Sequence, residues 1–153
     1  ILADDIFCCI GTTQSKTPDM SIYKQIDFGI PVHSAQAGIR GGMKKFLVVS
    51  SIGADAESRM FYPKVKGQME DALKKMAIPR LHIFRPSMLL GNRDEFRFGE
   101  SLAKTFVKTF AFIIPSKYKG IEAKDVAAAL LKVATSDMGK QVYESDEIRK
   151  MVK

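Results

Sequence analysis

Tyr62 and Lys66 stand four residues apart, a spacing that puts two side chains on one face of a helix. A free phenol titrates at about pH 10 and is a poor acid or base at neutrality. A lysine ammonium close by favours the phenolate and moves that value down, so the pair is a candidate for general acid–base work on an alcohol or carbonyl. Ser51, eleven residues before Tyr62, carries a hydroxyl that can orient a substrate oxygen, with Ser50 the lesser alternative. Tyr-x-x-x-Lys alone is common on solvated helices. Behind an apolar run that ends Ser-Ser and a short loop, it becomes a candidate active site.

The elements that must position these groups alternate in type. Asp5–Ile10 and Lys45–Ser51 are apolar on both faces, which predicts buried parallel strands. Leu81–Phe84 makes a third strand, leading into Arg85-Pro86. Between them a helix is predicted from about Met20 to Gly38, weakened by Gly29 and Pro31, and another from Phe61 to Met76. Further on, Leu89–Gly99 reads as a charged loop, Ser101–Phe112 and Ala123–Ala134 as helices, Lys140–Glu144 as a short strand, and a last helix starts at Ser145. Alternating strands and helices with apolar strands predict an α/β fold: a Rossmann-like, doubly wound parallel sheet with helices on both faces. In such sheets ligands bind at the carboxyl ends of the strands. Those ends are Gly11-Thr12-Thr13, Ser50-Ser51-Ile52-Gly53 and Arg85-Pro86-Ser87, each with small or hydroxylated residues that let a ligand approach the backbone.

Composition agrees with a globular α/β protein: 153 residues, 46% hydrophobic and 27% charged. No apolar run reaches the roughly 20 residues of a membrane span, and the first ten residues lack the basic flank of a signal peptide. The net charge of +7 comes from scattered lysines and arginines rather than one basic stripe, so nucleic acid is not the expected partner. Cys8 and Cys9 are adjacent, fit no metal spacing, and suit a reduced cytoplasmic protein.

The motifs together resemble one family. Phe7–Thr13, Leu47–Asp55, Phe61–Gly67, Phe84–Gly91, Arg93–Glu100 and Glu144–Ile148 are similar, in order, to stretches of the atypical short-chain dehydrogenases/reductases that include the Tat-interacting oxidoreductases. The resemblance implies an NADP-dependent oxidoreductase, with NAD as the alternative cofactor, acting on a small carbonyl or alcohol. Tyr62 would exchange the proton with the substrate oxygen, Lys66 would bind the nicotinamide ribose, and Ser51 would hold the substrate oxygen. Ile10, Gly11, Thr12, Thr13 and Ser50 would lie along the cofactor, and Pro86, Ser87 and Met88 would approach its nicotinamide end. No metal is implied.

Two departures stand out. The family's glycine-rich phosphate loop has no counterpart among the eleven glycines, and the chain opens on what resembles the family's fourth strand. At about thirty residues per strand–helix–strand unit, residues 1–153 would be the C-terminal part of one NAD(P)-binding domain. Many members also use an asparagine from the preceding helix to relay protons, whereas the one asparagine here is Asn92. That absence keeps a second function in view: an NADP(H)-binding sensor with little catalysis, acting through protein partners or as a homo-oligomer. His82 is expected in a core or edge strand with a satisfied hydrogen bond and His33 on a surface. Arg93, Glu95, Arg97 and Glu100 form either an anion-binding cluster or mutual ion pairs.

Overall fold

Lys45–Val49 (β2) and Arg80–Arg85 (β3) are the apolar centre about which the chain is wound. The computed structural model describes residues 1–90, 115–136 and 139–153. Within these, Asp5–Cys8 (β1), β2, β3 and Val142–Glu144 (β6) form one parallel sheet in the order β1-β2-β3-β6. The predicted loop Leu89–Gly99, helix Ser101–Phe112 and charged group Arg93, Glu95, Arg97 and Glu100, with Asn92, lie outside the described residues. The exceptions are Leu89–Leu90 (β4), which is a strand rather than loop and pairs with Ile121–Glu122 (β5) in a small second sheet.

Strand side chains alternate between two layers, as a pleat requires. Phe46, Val48, Leu81 and Ile83 face one layer, with Ala35 from Ile30–Arg40 (α2) and Met69 and Leu73 from Phe61–Lys74 (α3). Leu47, Phe84 and Tyr143 face the other, with Val126, Leu130 and Val133 from Ala123–Ala134 (α4) and Ile148 from Ser145–Met151 (α5). Helices therefore cover both faces, as the apolar runs predicted. β1 departs from its expected burial: among the described residues it stands at one end of the sheet, and Phe7 is 42% exposed. His82 is buried, with Nδ1 2.9 Å from the Lys140 carbonyl oxygen, and His33 is exposed, as expected of both.

The helix foreseen from Met20 is interrupted without being broken. Asp19 caps Met20–Lys24 (α1) by accepting from the Ser21 and Ile22 N–H groups. A single π-helical turn then spans Gln25–Gly29, closed by Ile30 N–H donating to the Gln25 carbonyl oxygen, before α2 continues. Pro31 explains it. Its ring crowds the carbonyl of residue 27 and it has no N–H to donate, a conflict that one wider turn relieves. α2 ends at Arg40, and Gly42 just beyond it stands at φ 77°, a left-handed position that glycine adopts without strain.

Candidate functional site

The crevice lies where the expected strand ends converge. The Cys9–Thr12 end of β1, the Val49–Ile52 end of β2 and Pro86–Leu89 after β3 form its lips. Tyr62 and Lys66 enter from the first turns of α3, and Asp27 from the π-helical turn. Its volume is about 280 Å³, close to the lower limit of small-molecule sites, which suits one end of a ligand rather than a whole dinucleotide.

α3 starts where it does because Met60 is extended and Pro63 falls in the first turn, where its missing N–H costs nothing. The helix is pressed onto the loop before it: a Cβ on Gly67 would stand 2.1 Å from the Ala56 nitrogen. Close packing at Gly67 sinks the neighbouring Lys66 to 3% exposure, while Tyr62, one turn earlier at the mouth, stays 40% exposed.

Lys66 does not sit unpaired. Its Nζ lies 2.8 Å from Asp27 Oδ1, and both side chains are almost fully buried. The second oxygen, Oδ2, accepts the Thr12 N–H at 2.8 Å, so one carboxylate binds the helix ammonium to the β1 lip. Asp27 Oδ1 makes no directed hydrogen bond, alone in this among the buried side-chain oxygens and nitrogens of the described residues. The sequence reading missed Asp27. The only signal for it was the Gly29/Pro31 irregularity, which marks a π-turn of the kind found at functional sites.

A second network, also missed, anchors the middle lip. Ser50 Oγ donates to Glu70 Oε1 at 2.6 Å, and Arg85 grips both Glu70 oxygens, Nε to Oε1 at 2.9 Å and Nη2 to Oε2 at 2.6 Å. Arg85 Nη1 also donates to Glu144 at 3.1 Å, joining α3, β3 and β6. The paired carboxylates, Glu70 foremost, raise the Arg85 pKa and keep it a cation. Glu70 follows Lys66 by four residues, the same spacing that exposed Tyr62 and Lys66 as a pair.

The candidate residues fare differently. Ser51, Tyr62 and Lys66 share the crevice, and Ser51 has only a long hydrogen bond, 3.3 Å, to the Ile52 carbonyl oxygen. Ile10, Gly11, Thr12, Ser50, Pro86, Ser87 and Met88 line it too. Thr13 does not: it turns away into the 13–17 turn, where its carbonyl accepts from Lys16 and Thr17 and its hydroxyl meets Ser15. The hydroxyl of Ser87 is engaged behind the crevice, donating to the Lys119 carbonyl oxygen and accepting from Ser145. Burial pushes the Cys8 and Cys9 thiols up, away from the thiolate. Among the described residues no His/Cys/Asp/Glu cluster fits a metal, and no helix is long and apolar enough to cross a membrane.

Comparison with known proteins follows the same lines. The protein FMP52 of Candida albicans is 35% identical over 136 residues, 88% of this chain and 59% of that protein. The protein HTATIP2 of Rattus norvegicus is 40% identical over 100 residues, 65% of this chain and 41% of its own. The chain thus spans about half the length of the curated relatives it matches. No protein-family model matches it. Among solved structures, the ADP-L-glycero-D-manno-heptose-6-epimerase of Helicobacter pylori superposes with a TM-score of 0.67 at 13% identity, over 100% of this chain and 58% of that one. RMD from Pseudomonas aeruginosa, complexed with NADPH, gives 0.63 at 18% identity, over 99% and 64%. These likenesses show the fold, a Rossmann-like parallel sheet. The expected cytoplasmic location is overturned, because the FMP52 relatives carry the name mitochondrial.

Proposed function

As a homologue of the FMP52 and HTATIP2 proteins with a Rossmann-like fold, the chain is, we propose, part of a nicotinamide-cofactor-dependent oxidoreductase of the short-chain dehydrogenase/reductase type, acting on a small carbonyl or alcohol. The observation that carries this is the meeting of Ser51, Tyr62 and Lys66 in one crevice at the carboxyl ends of a parallel sheet.

The residues suit such a cofactor. Gly11 leaves room where a side chain would press on Asp27 and Lys66, and Lys66 offers a buried ammonium for ribose oxygens. Ile10 and Thr12 would flank the cofactor on the β1 side, and Pro86, Met88 and the backbone at Ser87 would face its nicotinamide end. NADP is the favoured form, with NAD second. When bound, the nicotinamide supplies or accepts the hydride. The protein's share is position and proton: Tyr62 Oη gives a proton to the substrate oxygen or takes it, Ser51 Oγ holds that oxygen in line, and Lys66 fixes the ribose beside them. In this reading residues 1–153 are the C-terminal part of a single cofactor-binding domain.

The test is cofactor-dependent turnover of the full protein on a panel of carbonyls and alcohols, wild type against Tyr62→Phe. Loss of turnover in the variant supports the assignment, and equal rates would remove Tyr62 from the mechanism. Tight NADPH binding without turnover on any member of the panel would transfer the protein to the sensor function. The FMP52 names make mitochondria the place to look for it, by cell fractionation.

A further inference from the structure

We propose that Asp27 is a ligand-binding residue of the crevice, and that it recognises a neutral vicinal diol, the nicotinamide ribose in the function proposed above, on which this inference rests. A carboxylate has about four lone-pair positions. Here Oδ2 is committed to the Thr12 N–H, while Oδ1 is fully buried, close to Lys66 Nζ, and without a directed hydrogen bond. A buried charge with an unfilled acceptor is costly, and a ligand that supplies a donor relieves that cost.

Gly11 keeps the approach to that oxygen open. A Cβ there would fall 3.2 Å from Asp27 Oδ1 and 3.6 Å from Lys66 Nζ, so the missing side chain leaves a ligand free to come up to one acceptor and one donor together. A hydroxyl matches both, since it accepts from the ammonium and donates to the carboxylate. Two adjacent hydroxyls match better still. An anion does not match, because Asp27 cancels the charge of Lys66 and would repel a phosphate brought this close. The pair therefore selects a sugar diol and directs phosphates elsewhere.

Binding to the full protein is measured by calorimetry for NADPH and for its analogue lacking the 2′ and 3′ hydroxyls of the nicotinamide ribose. The comparison is repeated with Asp27→Asn and, in case that variant folds poorly, Gly11→Ala. In Asp27→Asn the amide oxygen is held by the Thr12 N–H, which leaves an NH₂ donor facing Lys66 where an acceptor stood. Wild type is expected to prefer the natural cofactor by about tenfold or more. Both variants are expected to lose most of that preference. An undiminished preference in both variants, or none in wild type, would overturn the inference alone. Failure of wild type to bind either nucleotide would sink the proposed function and this inference with it.

Discussion

Asp27 and Lys66 meet at 2.8 Å with neither exposed, so a carboxylate from a π-helical turn and an ammonium from α3 neutralise each other at the floor of the crevice. A polar group from the preceding helix thus reaches the lysine.

Removing one partner of a buried pair strands the other. Asp27→Ala is therefore expected to cost roughly 3–5 kcal/mol, because it leaves the Lys66 ammonium buried and unpaired and frees the Thr12 N–H. Urea unfolding reads this as a lower midpoint at unchanged slope. A loss below about 1 kcal/mol would mean that Lys66 escapes to water or finds another partner.

Tyr62 should behave in the opposite way. It is exposed at the mouth, and Tyr62→Phe is expected to leave stability within about 0.5 kcal/mol. The same change should lower turnover by about a hundredfold or more if the phenol is the proton donor. Unfolding curves and rates on one preparation separate the two effects.

Gly67→Ala sets helix propensity against packing. Alanine is the better helix former by about 1 kcal/mol. Its Cβ would nevertheless lie 2.1 Å from Ala56 N and 2.2 Å from the Asp55 carbonyl carbon, both backbone atoms that cannot swing aside. The variant is expected to lose about 1–3 kcal/mol and to tilt α3, with turnover falling as Tyr62 and Lys66 shift. A stabilised variant would show the contact to be loose.

His82 supplies a pH dependence. Burial lowers its pKa, outweighing the hydrogen bond to the Lys140 carbonyl oxygen, so the unfolded chain takes up a proton at higher pH than the folded one. Above about pH 6.5 the ring is neutral in both states and contributes no slope. As the pH falls below that value toward the lower folded one, the unfolded state is favoured and stability declines. His82→Gln is expected to flatten the decline between about pH 6.5 and 5, as measured by denaturation at fixed ionic strength.

Local pattern was enough for much of this protein. Apolar runs at β1, β2 and β3 and helical spacing through Val65, Met69 and Leu73 are properties of neighbouring residues, so the α/β alternation, the three lips and the Tyr62/Lys66 face could be read directly. β4 escaped notice because a two-residue strand has no period of its own and exists only through its pairing with β5. The exposure of Phe7 also escaped, since a strand's own residues do not say what flanks it. Asp27 lies 39 residues before Lys66, and Ser87 lies 58 before Ser145. No spacing rule joins such groups. They were brought together by the crossovers of the parallel sheet and, for Asp27, by a proline that forced one turn of helix to widen and lean its carboxylate onto the lysine.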